Sequence, residues 1–128
     1  HFQRDGDVVK TTLRTREEHQ GFPGYLHGGI ITTVLDEVMS RVSMLENRWT
    51  MTVRLDVRFK KPVSLSQVVV GVASKVDERK GFIEAEGRLL LPDGSDAAIA
   101  SGTFFLLDEG SLTKLSEGYP KLSKQWMR

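Results

Sequence analysis

One stretch of this chain has the period of a helix, and almost everything after it has the period of a strand. From Ile30 to about Glu46 the apolar residues Ile30, Val34, Val38, Val42 and Leu45 share one helical face, with Ile31 and Leu35 widening the stripe. Behind it the pattern alternates. Val53, Leu55, Val57 and Phe59 are expected on one side of a strand, with Thr52, Arg54, Asp56 and Arg58 on the other. Pro62 ends that segment because it has no N–H to give to a ladder. Three further strand segments follow, QVVVGVASKV, KGFIEAEGRLLL and AAIASGTFFLL, joined by the turn-forming runs DERKG and PDGSD. A short β-branched run, VVKTTLR from Val8 to Arg14, precedes the helix and is bounded upstream by DGD.

A sheet with one apolar face needs a cover, and a single helix is long enough to supply it. The order of strand, long helix and four antiparallel strands predicts an α+β domain whose sheet curls around one central helix. One helix leaves a broad sheet partly uncovered, so at least a dimer is expected. The 128 residues suit one domain. Its core is expected over residues 6–108, with a polar tail at 109–128 that forms either a short helix or a loose arm around Trp126.

Eighteen basic and seventeen acidic side chains leave a net charge of +1, which gives no electrostatic reason to expect nucleic acid as a partner. With no cysteine, disulfides, thiolate zinc sites and thiol catalysis are excluded. The three histidines, His1, His19 and His27, have no compact ligand spacing to acids, so no metal is expected. No apolar run reaches the ~20 residues of a membrane span, and no leader pattern opens the sequence, which makes the cytoplasm the expected compartment.

Between Gly21 and Gly29 lie four glycines and a proline, a loop whose backbone must go where side chains would obstruct it. It runs into the helix as GYLHGGIITT. The first N–H groups of a helix point outward with partial positive charge, and glycines at 28 and 29 leave them unshielded. That is a recipe for an oxyanion or anion site, and equally for a tight turn that needs glycine for its own geometry. His27, at the positive end of the dipole, is expected as neutral imidazole that positions rather than carries a proton.

Two acids follow on the helix. Asp36 projects with Thr32, Ser40 and Ser43, away from the apolar stripe, where a substrate or a second chain has access. Glu37 has a structural use available, an ion pair with Arg41 one turn on. Asp36 is therefore the sharper candidate, although a polar helix face is also what a solvated surface looks like.

The stretch GYLHGGIITTVLDEVMS, Gly24 to Ser40, resembles the hotdog-fold acyl-CoA thioesterases, in particular the PaaI-like (phenylacetyl-CoA-type) branch. FKKP after the first post-helix strand and IASGTFFL in the last one give looser support. The resemblance implies a homodimer with two active sites at the interface; whether two such dimers pair into a dimer of dimers is left open by the sequence. It implies that Gly28 offers its N–H to the thioester oxygen and that His27 helps to hold the carbonyl end. Asp36 of the other subunit would activate water or attack directly, and Thr52 would orient water or the carboxylate. Acyl-CoA is then the substrate and no cofactor is needed, coenzyme A being part of the substrate.

Around that centre, Gly29, Gly21, Gln20, His19 and Tyr25 belong to the expected substrate site. Ser101 and Gly102 are expected to let the pantetheine arm pass, and Arg58 and Lys60 to meet CoA phosphates. The chain departs from the pattern at Gly21, where relatives often carry Asn, with His19 and Gln20 as candidate replacements. Two other activities fit the same scaffold: acyl-CoA binding without turnover, and dehydration or hydration of an acyl thioester.

Overall fold

A computed structural model describes residues 1–44 and 49–107. The tail with Trp126 and the helix end expected at Leu45 and Glu46 lie outside the described residues. Strand β1 (Phe2–Asp5) and strand β2 (Val8–Arg14) form a hairpin, and helix α1 (Gly28–Met44) follows. The remaining strands are β3 (Trp49–Phe59), β4 (Val68–Arg79), β5 (Phe82–Leu90) and β6 (Asp96–Leu107). All six make one antiparallel sheet in the order β1-β2-β4-β5-β6-β3.

The architecture is the α+β one expected, with β1 added. FQRD in β1 has no apolar alternation to announce a strand, and its four residues are all exposed. The turn after it needs a residue in the left-handed region, which Gly6 supplies at φ 61°.

The core lies between α1 and one face of the sheet. Ile31, Leu35, Val38, Met39 and Val42 of α1 are buried against Val9, Val69, Ala73, Ile83, Ala85, Leu89 and Phe104. The sheet admits the helix closely where it carries glycine. A Cβ at Gly71 would lie 3.2 Å from Val34, and one at Gly87 would lie 3.1 Å from Met39. Met39 is fully buried in this core.

Strand β3 does not follow the strict alternation expected of it. Its register against β6 runs Thr52↔Phe104 and then Arg54↔Thr103, so Val53 is an extra residue in a β-bulge. Before the bulge, Thr52 shares the helix-side face with buried Phe104. After it, Leu55 and Val57 take that face. The expectation that Thr52 lies on the same side as Arg54 is thereby corrected, since one inserted residue reverses the parity of the strand.

The two sheet edges differ. At one, β1 is short and polar. At the other, β3 is eleven residues long and exposes Met51, Val53 and Phe59. A long apolar edge is a template for pairing with another strand.

Candidate functional site

The site is assembled at the start of α1 by the loop over residues 15–27. Thr15 is buried and anchors the loop, its N–H donating to Gln67 O and its hydroxyl accepting from Gln67 N–H at 2.9 Å. The tip turns at Phe22-Pro23-Gly24-Tyr25. Gly24 has φ 87° and Tyr25 N–H donates back to Phe22 O, the geometry that favours Pro and Gly at the two central positions. The chain then runs beside Val63, with Leu26 N–H donating to Val63 O at 2.8 Å, and arrives at His27.

A helix begins with four N–H groups that have no partner in their own ladder. Here His27 N–H donates to His19 O at 2.8 Å, Gly29 N–H donates to His27 Nδ1 at 2.8 Å, and Ile30 N–H donates to His27 O at 3.0 Å, while Ile31 N–H, donating to the same oxygen at 3.2 Å, makes the first bond of the ladder itself. The fourth belongs to Gly28, whose N–H has no hydrogen-bond partner among the described residues. Because Nδ1 accepts, the ring proton of neutral His27 sits on Nε2.

The glycines divide the work. A Cβ at Gly29 would lie 2.8 Å from His27 Nδ1, so glycine there makes room for the cap. A Cβ at Gly28 would meet only the Phe59 ring, at 3.5 Å. Nothing in the fold of one chain forbids a side chain at 28. At Gly21 a Cβ would lie 3.0 Å from His27 Cα and 3.1 Å from its ring. The Asn that relatives often carry would crowd the capping histidine here.

His19 and Gln20 do not point a free acceptor at that gap. His19 Nδ1 accepts from Arg16 N–H, and Gln20 Oε1 accepts from Gly24 N–H at 2.9 Å, so both hold the loop together. Tyr25 is partly exposed, with its ring 6.2 Å from that of the strongly exposed Phe22.

Two turns along α1, Asp36 is half-buried at the seam between the helix and β3. Thr52 Oγ1 donates to Asp36 Oδ1 at 2.8 Å. That contact exists because the bulge at Val53 turns Thr52 toward the helix. Glu37 is exposed and forms no ion pair among the described residues. Its expected partner Arg41 instead lies over the Phe2 ring, 4.2 Å from the centroid, which corrects the expected Glu37–Arg41 pair. Of the small hydroxyl residues on that face, Thr32 donates back to Gly28 O at 2.9 Å.

The structure brings together His27, Gly28, Gly29, Gly21, Gln20, His19 and Tyr25 at one end of α1, and Asp36 with Thr52 farther along. It does not bring Arg58 or Ser101 to them. Both face the opposite side of the sheet, where Asp56 pairs with Ser101 and Arg58 with Ile99 in the ladder. Gly102 is buried beneath Phe104, whose Cε2 would be 2.9 Å from an added Cβ, so its smallness serves packing. Lys60 is exposed just beyond β3. Phe59, against Gly28, had no signal beyond its place in an alternating run.

Among the described residues no group of three or more His, Asp or Glu side chains is placed to hold a metal ion. Nor is any described helix long and apolar enough to cross a membrane.

Comparison with known proteins agrees with this fold. Residues 23–98, over half of the chain, match the family model described as the thioesterase superfamily. Acyl-coenzyme A thioesterase THEM4 of Bos taurus is 34% identical over 91 residues, covering 70% of this chain and 37% of that protein. THEM4 of Mus musculus is 38% identical over 66 residues, 50% of this chain and 28% of its own length. The chain thus spans about a third of the length of these relatives. Among solved structures, a hypothetical thioesterase protein with coenzyme A from Streptococcus pneumoniae superimposes with TM-score 0.77 at 19% identity, covering 83% of this chain and 86% of that one. Zebra fish thioesterase superfamily member 2 does so with TM-score 0.72 at 18% identity, covering 79% and 75%. At such identities the superpositions show a shared fold, the hotdog, while the family model reaches from the loop before His27 through β3, β4 and β5. The chain belongs to the thioesterase superfamily.

Proposed function

We propose that this protein hydrolyses acyl-CoA thioesters to a free acid and CoA, at a site completed by a second copy of the chain. The observation that carries the reading is the hydrogen-bond pattern at the start of α1: of the four N–H groups outside the ladder, those of His27, Gly29 and Ile30 are satisfied, and that of Gly28 has no partner among the described residues. An unpaired N–H at the positive end of a helix stabilises negative charge developing on a thioester oxygen.

Helix geometry supports a second copy. Gly28 and Asp36 are eight residues apart on α1, which at 1.5 Å per residue is ~12 Å along the axis. One carbonyl group cannot touch both. Gly28 lies beside Phe59 at one end of β3, and Asp36 is bonded to Thr52 toward the other. A two-fold axis that pairs two β3 edges antiparallel therefore carries the donor end of one copy toward the acid end of its partner. The exposed Met51, Val53 and Phe59 supply the apolar contact of such a seam.

Thr52 occupies one oxygen of Asp36 and leaves Oδ2 without a partner among the described residues. In the general-base form of the reaction, Asp36 takes a proton from water as the water oxygen bonds the carbonyl carbon. The C–S bond then breaks and the CoA sulfur receives that proton. A thioester carbonyl is activated enough that this chemistry needs no metal or redox group, and CoA enters as part of the substrate. THEM4 is named an acyl-coenzyme A thioesterase, which agrees with this reading.

A thiol-release screen over short, medium, long and aryl acyl-CoAs tests the proposal, and turnover of at least one class is expected. Tight CoA-ester binding with no thiol release would instead identify a binding module. Single-turnover hydrolysis in ¹⁸O water then separates the two roles of Asp36, because direct attack leaves label in the Asp36 carboxylate.

A further inference from the structure

Resting on that reading of the open Gly28 N–H, we propose that His19 and His27 form a two-histidine latch that positions the oxyanion donor and releases it on acidification. Both rings accept a backbone N–H at Nδ1. Gly29 N–H donates to His27 Nδ1 at 2.8 Å, and Arg16 N–H donates to His19 Nδ1 at 3.3 Å. The two residues are joined directly, since His27 N–H donates to His19 O at 2.8 Å. One continuous set of bonds therefore runs from the short 3-10 helix Glu17–His19 to the start of α1.

The fold leaves a fitted seat for the His27 ring. A Cβ at Gly21 would lie 3.1 Å from ring carbon Cδ2, and one at Gly29 would lie 2.8 Å from Nδ1, so the ring fills the space between two glycines. The backbone of His27 sets the donor. A peptide unit is planar and trans, so Gly28 N–H points opposite to His27 O in the same unit. Ile30 and Ile31 N–H hold that oxygen at 3.0 and 3.2 Å, and the open N–H takes its direction from their hold. Anchored by His19 O on one side and by Gly29 on the other, His27 keeps the donor where a carbonyl oxygen can meet it.

Acid undoes the latch because neutral imidazole has one acceptor nitrogen and imidazolium has none. A proton added at His27 Nδ1 would stand against the hydrogen of Gly29 N–H across 2.8 Å, so the ring must leave its seat. The positive end of α1 repels the cation as well. His19 loses its bond from Arg16 N–H in the same way. His27 is exposed and His19 half-buried, so protons reach both rings while the loop is closed. The charged groups of the surrounding elements are Arg14 at the end of β2, Arg16, Glu17 and Glu18 on the loop, and Lys60 and Lys61 beyond β3, while α1 brings none before Asp36. Arg16 pairs with Glu18 at 3.8 Å, and Lys61 donates to the Ser95 hydroxyl at 3.1 Å. Among the described residues no carboxylate bonds either ring, so none holds the cation in place.

The test follows the ¹⁵N-labelled full chain by NMR, and acyl-CoA thiol release beside it, over the interval of about pH 5 to 8 in which histidine changes charge. At the upper end His27 should show the tautomer with its proton on Nε2. As the pH falls, the Gly29 amide should shift and exchange faster with the midpoint of the His27 ring, and the Arg16 amide should follow the His19 ring. At the His27 midpoint kcat should begin a fall of ~10-fold or more, with KM within about threefold, as a misplaced donor predicts. His27→Asn keeps a side-chain acceptor for Gly29 N–H at the N-cap position but has no proton to gain. At neutral pH it is expected to turn over several-fold faster than His27→Ala, and it should lose the fall that the parent shows at the histidine midpoint. An Nδ1–H tautomer, amides that ignore the two ring titrations, or an acid fall unchanged in His27→Asn would each overturn the latch. No thiol release at any pH, with the amides responding as described, would overturn the hydrolase reading and leave the latch standing.

Discussion

The sharpest consequence of the capping pattern is a contrast between two adjacent glycines. Residue 28 has no left-handed φ, so Gly28→Ala requires no backbone strain. The new methyl meets only the Phe59 ring, at 3.5 and 3.6 Å, an ordinary contact. It leans toward the helix N-terminus, over the one open N–H. Folding should be unchanged or slightly improved, since Ala is favoured over Gly in a helix by up to ~1 kcal/mol. Approach of a thioester oxygen should be blocked, and losing such a donor costs ~3–4 kcal/mol of transition-state stabilisation, or ~10²–10³-fold in kcat/KM. Gly29→Ala should behave in the reverse way. Its methyl would lie 2.8 and 2.9 Å from Nδ1 and Cε1 of His27, so the ring must leave and the cap is lost. That costs ~1 kcal/mol, about 4 °C in melting temperature for a domain of this size, with a smaller rate loss. Paired thermal melts and thiol-release assays read both quantities. If Gly28→Ala hydrolyses acyl-CoA within threefold of the parent, the open N–H is not the oxyanion donor and the glycines serve only the turn.

Asp36→Ala is expected to lower kcat by ~10²–10⁴-fold at an unchanged melting temperature, and an active variant would remove the acid from the mechanism. Thr52→Val removes the donor to Asp36 Oδ1 and should reduce kcat ~10-fold or more with little change in KM, a split that stopped-flow or steady-state kinetics resolves. Glu37→Ala should leave both rate and stability within ~0.5 kcal/mol, because no ion pair is lost; a marked fall in either would reveal a role the geometry does not assign. In the β5–β6 turn, the Ser95 hydroxyl and then the Ser95 N–H hold the Asp93 carboxyl below its ordinary value. A depressed folded value means that the turn's stabilisation is present above the unfolded value and fades as pH falls through the folded one. Carboxyl NMR should show the low inflection moving up in Ser95→Ala, and an unmoved inflection would contradict the assigned cause.

The parts of this structure that were legible in the sequence are those set by periodicity and by glycine. The stripe from Ile31 to Val42 specified α1, and four alternating segments specified four strands. HGG marked the helix start, where the bond from Gly29 N–H to His27 Nδ1 now explains why glycine is needed at 29. What escaped notice depended on partners distant in sequence. Phe2 belongs to a polar strand that is recognisable only beside β2, and its ring takes the Arg41 side chain that helix spacing alone assigns to Glu37. Ser101 and Gly102 are adjacent and small, yet one faces out and the other lies under Phe104. Arg58 looked like part of a basic edge near the site, but the parity of β3 after the bulge sends it to the far face.

The bulge in β3 supplies one more test, because it reconciles two demands that a regular strand cannot meet together. Leu55 and Val57 must face α1 to pack the core, and Thr52 must face α1 to reach Asp36. Counted by parity, residue 52 lies opposite to 55 and 57, and only the extra residue at 53 aligns them. Deleting Val53 should therefore be mild. The shortened run already alternates correctly, with Thr52 inward, Arg54 outward and Leu55 inward, and each keeps its present partner on β6. Within one chain the side chain removed is 57% exposed and leaves no cavity, and any weakening of the β3 seam is read separately, from the mass of the dimer. The Asp36–Thr52 bond should survive, and stability should change by no more than ~1 kcal/mol, within the range of surface changes that break no packing. A regular β3 gives the opposite expectation. Removing one residue would then turn Trp49 to Thr52 onto the wrong face, exchanging packed for exposed side chains at a cost of several kcal/mol. A thermal melt of the deletion variant decides between them, and a collapse in melting temperature would show that Thr52 does not reach Asp36 by way of a bulge.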